Sequence, residues 1–147
     1  MGSYRQIIFH LTFRTKYNIP AIGLEHKKEL YRYIWGIVKN KNCILFQING
    51  TENHVHILSD LHPSICLANY IKDIKVASSI WMKESGKFPK FRGWAEGYGA
   101  FTVAYRNKQT VVNYIKNQEE HHMQVSFEHE YIALLKEHGV NYDDRYI

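Results

Sequence analysis

The centre of this chain reads as a hairpin. Ile44–Asn49 alternates through Ile44, Phe46 and Ile48, Gly50 to Asn53 is a short connection of turn formers, and His54–Asp60 follows as the return strand. Strand side chains alternate with a period of two, so each arm has two distinct faces and the pair closes antiparallel. What flanks the hairpin then sets the fold class. Before it, Gln6–Arg14 alternates cleanly, with Ile7, Phe9, Leu11 and Phe13 on one face and Ile8, His10, Thr12 and Arg14 on the other. That pattern predicts a half-buried strand. Leu24–Asn40 switches to helical spacing, with Leu30, Ile34, Ile37 and Val38 on one side, and Asn40–Lys41–Asn42 breaks it.

Beyond the hairpin, Pro63 and Ser64 restart the chain as a helix running to about Glu84, capped by Ser64, with Ile71, Ile74, Ser78 and Trp81 inward. The irregular stretch Ser85–Gly97 mixes glycines, rings and basic groups. It reads equally as a clamp on unstacked bases and as an aromatic-packed loop. Tyr98–Tyr105 is expected as a strand, with Phe101, Val103 and Tyr105 on one side. Asn107 is a cap for a helix continuing to His121 or His122, buried through Val111, Val112 and Ile115. A last helix begins near Ser126, carries Glu128 and Glu130 in its first turn, where the helix dipole favours anions, and ends at Gly139. The tail Asn141–Ile147 is polar and aromatic.

The resulting order, β–α–β–β–α–β–α–α, has first six elements in the ferredoxin-like βαββαβ arrangement. The expected class is α+β, an antiparallel sheet with two helices on one face and further helices at the C-terminus. Residues 1–147 are expected to form a single domain. No apolar run is long enough to span a bilayer and no signal pattern opens the chain, so a soluble, cytoplasmic protein without membrane association is expected. The formal net charge of +5 favours a polyanionic partner. Cys43 and Cys66 have no paired spacing and are expected as reduced, buried residues.

Chemistry concentrates at two places. In a strand, His54 and His56 project from the same face, a metal-ligand spacing that ordinary strand histidines also produce. Tyr114 and Gln118 stand four apart on one face of the late helix. Two imidazoles hold a divalent ion weakly without a third ligand, for which the Gln118 carbonyl oxygen is a candidate, and such an oxygen and nitrogen set suits Mg²⁺ or Mn²⁺. A phenol has a pKa of about 10, so attack by Tyr114 on a phosphodiester at neutral pH needs a base or a nearby cation. His121 and His122 offer a further ligand cluster, set against the plainer reading of an exposed helix end. Basic residues at Arg14 and Lys16, and a row at Lys72, Lys75 and Lys83, are candidate DNA contacts, weighed against a solvated strand end and helix face.

Taken together, these segments resemble the single-tyrosine HUH transposases, the small transposase-A enzymes of bacterial insertion sequences, including relatives associated with repetitive extragenic palindromes. The resemblance runs through His10–Leu11–Thr12–Phe13–Arg14–Thr15–Lys16–Tyr17, Asn53–His54–Val55–His56 and Gly97–Tyr98–Gly99–Ala100–Phe101–Thr102–Val103. It continues through Tyr114–Ile115–Lys116–Asn117–Gln118–Glu119–Glu120–His121–His122 and Ser126–Phe127–Glu128. It implies a homodimer that recognises hairpins in single-stranded DNA. Tyr114 would attack the scissile phosphate to give a 5′-phosphotyrosine link, while His54, His56 and Gln118 hold the ion. Rejoining reverses the step, so no nucleotide cofactor is implied. The alternative is a non-catalytic ferredoxin-like module that binds single-stranded nucleic acid on its sheet, which requires exposed rings at central strand positions.

Overall fold

The computed structural model describes residues 2–147. The first strand, β1 (Ile8–Arg14), is followed by α1 (Lys27–Asn40), the hairpin β2 (Leu45–Thr51) and β3 (His54–Asp60), then α2 (Leu67–Ser85) and β4 (Gly99–Thr102). The sheet has the order β2-β3-β1-β4, and every pairing is antiparallel. This is the ferredoxin-like arrangement expected from the pattern, with β1 and β3 at its centre.

Each sheet face is covered by a different set of helices. On one face, Leu11, Phe13, Val55 and Ile57 pack against Leu30, Ile34 and Val38 of α1 and Tyr70, Ile71, Ile74 and Met82 of α2. On the other lie α3 (Lys108–Lys116), the short α4 (Gln118–His121) and α5 (Phe127–Glu137). There Ile8, Leu58 and Val103 meet Val112 and Ile115, and Phe101 meets Leu134 and Leu135. β1 is therefore covered on both sides rather than half-buried, and β3 is buried from His54 to Ser59. The polar face of β1 and β3 is an enclosed surface, which is what makes His10, Thr12, His54 and His56 interior residues.

Local departures from the expected pattern have identifiable causes. Ser64 does not cap α2; its hydroxyl pairs with His62 Nδ1 at 2.7 Å, and the helix starts after Cys66. Cys66 at that boundary is exposed, whereas Cys43 is buried. Strand β4 stops at Thr102, so Tyr105 falls in a 3₁₀ turn and is exposed, while Phe101 and Val103 are inward as expected. Phe88 and Phe91 enter the core, and Trp94 packs edge-on against Phe13 at 4.8 Å, so the irregular stretch is an aromatic-packed loop.

The late helix is not continuous. It breaks at Asn117, where Asn49 of β2 donates its side-chain amide to the carbonyls of Ile115 at 3.1 Å and Lys116 at 3.0 Å. These are carbonyls that a helix end leaves without partners. The break re-aims the chain so that Gln118 enters the space above β3. Ser126 caps α5 as anticipated, accepting from the backbone N–H of His129 at 3.2 Å.

Candidate metal and nucleophile site

His54 and His56 rise from β3 into the space between the sheet and α3–α5, and both are fully buried. Each ring has its outer nitrogen engaged. His54 Nδ1 lies 2.9 Å from Asn53 Oδ1 and 2.9 Å from Thr51 Oγ1, and the Thr51 hydroxyl also donates to Asn53 Oδ1. His56 Nδ1 lies 2.8 Å from Nε2 of His10 on the neighbouring strand. These contacts turn both Nε2 atoms toward α4 and α5.

What they meet is a carboxylate. Glu130 on α5 is buried, and its Oε1 lies 2.8 Å from His56 Nε2, 2.9 Å from His122 Nε2 and 3.5 Å from His54 Nε2. Its Oε2 accepts hydrogen bonds from the Tyr114 hydroxyl and from Gln118 Nε2, the latter at 2.9 Å. Gln118 in turn presents Oε1 to His54 Nε2 at 3.0 Å. His54, His56, His122 and Glu130 offer ligand atoms all within 4.8 Å of one another. Phe127, stacked on the His54 ring at 4.4 Å, forms an apolar wall.

Burial controls the charges. It pushes the His10 imidazole down to about 3, with His56 adding to the effect, and pushes His54 to about 3 for the same reasons, so both rings are neutral at physiological pH. Burial also pushes the Glu130 carboxyl upward, but the hydrogen bonds from His122 and His56 outweigh it and hold the group ionised, well below the usual carboxylate range. Tyr114 is raised well above an ordinary phenol, first by burial and then by the charge of Glu130. Among the described residues no Lys or Arg forms an ion pair with Glu130. A buried anion facing imidazole nitrogens is a donor set that fits a divalent cation.

The four residues singled out for chemistry, His54, His56, Tyr114 and Gln118, therefore come together within one chain. The candidate DNA contacts lie elsewhere. Arg14 ends β1 and donates to Asn18 at 3.2 Å, and exposed Lys16 stands beside the Tyr17 ring. Lys72 and Lys83 are exposed on α2, across the sheet from the histidines. Lys75 is different, because its ammonium donates to the carbonyls of Ala95 at 2.7 Å and Gly97 at 2.9 Å.

Two members of the cluster, His10 and Glu130, fall outside the sequence-based set, while His122 belongs to the further ligand cluster expected there and is largely buried rather than part of an exposed helix end. His10 shares a sheet face with Thr12 and, across the strand pair, with His56, a relation visible once register is known. His122 stands four residues beyond Gln118. Glu130 interrupts an otherwise apolar stripe of Phe127, Tyr131 and Leu134, and a carboxylate on the inward face of a helix is the signal that was there to be found.

Comparisons with known proteins bear on this site. Residues 3–118 match the family described as "Transposase IS200 like". Transposases for insertion sequence element IS200 from Salmonella typhimurium and Salmonella typhi are each 25% identical over 117 residues, covering 76% of this chain and 76% of each relative. Among solved structures, a transposase-like protein from Deinococcus radiodurans R1 superposes with a TM-score of 0.63 at 24% identity, over 80% of this chain and 95% of the other. A REP-associated tyrosine transposase bound to a REP hairpin gives 0.62 at 14% identity, over 85% of this chain and 76% of the other. At these identities the two structures speak to the fold.

Proposed function

The chain belongs to the IS200-like transposase family and is a DNA transposase; from that premise we propose that Tyr114 is its nucleophile, cutting and rejoining single-stranded DNA through a 5′-phosphotyrosine link. The observation that carries this reading is the convergence of the Tyr114 hydroxyl, Gln118 and the His54–His56 pair on one buried carboxylate. Attack forms the bond from the phenolic oxygen to phosphorus and breaks the bond from phosphorus to the 3′-oxygen of the preceding nucleotide; the phenol gives up its proton and the released 3′-oxygen gains one, leaving as a hydroxyl. The reverse displacement restores the DNA, so the energy of the phosphodiester is kept without a nucleotide cofactor.

His54, His56 and Gln118 are proposed to hold Mg²⁺ or Mn²⁺, with His122 and Glu130 adjoining them. The ion supplies charge stabilisation to the scissile phosphate and its leaving oxygen. The protein does the positioning. Asn53 and His10 fix the two rings, Phe127 walls the site with apolar surface, and the hydroxyl of Tyr114 is held at the edge of the cluster. A hollow of about 380 Å³ lined in part by His10, Asn107, Thr110, Tyr114 and His138 is the proposed approach for a strand to this tyrosine.

Hairpin recognition is proposed from the likeness to a transposase bound to a REP hairpin, with Arg14, Lys16, Lys72 and Lys83 as phosphate contacts. Residues 1–147 act as one HUH unit in this reading, working in the cytoplasm as a homodimer. A passive single-strand binder is less well supported, because the sheet surfaces it would use are covered on both sides by helices.

The test is incubation with labelled single-stranded hairpin DNA and Mn²⁺ or Mg²⁺, followed by a denaturing gel. A covalent protein–DNA band that requires the ion is expected. Ion-independent binding with no such band across a panel of hairpins would leave the passive binder as the better account.

A further inference from the structure

Glu130 divides its two oxygens between two tasks. Oε1 faces the imidazoles, at 2.8 Å from His56, 2.9 Å from His122 and 3.5 Å from His54. Oε2 faces the nucleophile's side, accepting from Tyr114 and Gln118. We propose that Glu130 is a bridging residue, ligating the metal through Oε1 together with His54, His56 and His122, and holding the Tyr114 hydroxyl in place through Oε2.

The placement is built rather than incidental. A buried carboxylate away from Lys and Arg is disfavoured by desolvation unless partners offset it. α5 is held where it must be for this. Ser126 caps its first turn, Phe127 stacks on His54, and Leu134 and Leu135 pack on Phe101. Gln118 has both ends of its amide employed, Oε1 on His54 and Nε2 on Glu130, so it orients the ligands whether or not it also touches the ion. The set then contains imidazole nitrogens and one carboxylate, which suits first-row transition ions better than Mg²⁺.

This inference rests on the proposed reading of Tyr114 as nucleophile, and the experiment separates the two. Mn²⁺ binding is measured by calorimetry on the full chain for the wild type, Glu130→Gln and His122→Asn, each checked for a cooperative thermal transition. Both substitutions are expected to weaken Mn²⁺ binding at least about tenfold, the lower end of what perturbing a metal site produces. At saturating Mn²⁺, His122→Asn should recover most of its covalent DNA capture, whereas Glu130→Gln should stay slow because the Tyr114 contact is also altered. If Glu130→Gln does not fold, Glu130→Asp, which keeps the charge and shortens the reach, is read in the same way.

Mn²⁺ affinity within twofold of the wild type in both folded variants overturns the ligand assignment while leaving the transposase reading intact. Equal recovery of capture by the two variants at saturating Mn²⁺ overturns the positioning of Tyr114. A wild type that binds Mn²⁺ yet captures no hairpin DNA instead removes the underlying nucleophile reading, and with it the bridge.

Discussion

His10 Nε2 lies 2.8 Å from His56 Nδ1, across the two central strands of the sheet. Only when His56 carries its proton on Nδ1 and donates it to His10 does Nε2 keep a lone pair for a cation. Burial helps here, since a neutral His10 can accept that proton and a charged one could not. His10→Ala is therefore expected to weaken Mn²⁺ binding about 10–100-fold, the usual effect of removing a partner that orients a ligating histidine. Calorimetry checks this, and an unchanged affinity in a folded variant would remove His10 from that role.

Tyr114→Phe isolates the nucleophile. It deletes one oxygen from the cluster and leaves Glu130 Oε2 its bond to Gln118. Covalent capture should disappear while hairpin affinity in a gel-shift assay stays within about threefold, because the lost bond runs to the ionised Glu130 inside the protein, and its usual contribution of about 1.5–3 kcal/mol falls on stability rather than on the basic residues proposed to hold the hairpin. A persistent covalent band would point to another residue as the attacking group.

Much of this was legible beforehand, and the remainder had physical reasons for being hidden. The strand pattern gives the sheet, because a period of two survives in Ile44–Asn49 and Gln6–Arg14 whatever packs on top. It does not say that a third layer will cover the polar face, and that layer is what turns His10 and Glu130 from surface residues into site residues. Glu130 in a first turn is accounted for by the helix dipole alone, a local explanation that suffices where that turn is exposed. The break at Asn117 was invisible because it depends on Asn49, more than sixty residues away in sequence.

The candidate DNA-contacting row on α2 makes a graded prediction. Each lysine that neutralises a phosphate should lower the slope of log affinity against log salt by about one when removed. Lys72→Ala and Lys83→Ala are expected to do so. Lys75→Met is not, because that ammonium is employed on the carbonyls of Ala95 and Gly97. It should instead cost about 1 kcal/mol of stability in urea unfolding, reduced from the full value of a charged hydrogen bond by its half-exposed setting.

The donor set also predicts a preference among ions. Imidazole nitrogen ranks Mn²⁺ above Mg²⁺, which holds its waters and favours oxygen. On chelator-treated protein, calorimetry should therefore give tighter binding for Mn²⁺, with less heat and weaker affinity for Mg²⁺ at equal ionic strength. Equal or tighter Mg²⁺ binding would favour an oxygen-dominated set in which Gln118 and water outrank His122.

Gly50 offers a structural route to the same site. It pairs with Val55 in the hairpin, and a Cβ added there would fall 2.0 Å from the His54 carbonyl oxygen and 3.0 Å from the Val55 Cα. Both are backbone atoms, so no side chain can swing aside and the strand itself has to move. Gly50→Ala is expected to cost about 1–3 kcal/mol, the usual range for forcing extra volume into a packed interior. The displaced residue is His54, whose Nε2 must stay within reach of Gln118 and Glu130. Mn²⁺ affinity should therefore fall along with the urea midpoint, whereas a variant that loses stability but binds Mn²⁺ as tightly as the wild type would mean that the site tolerates a shifted hairpin.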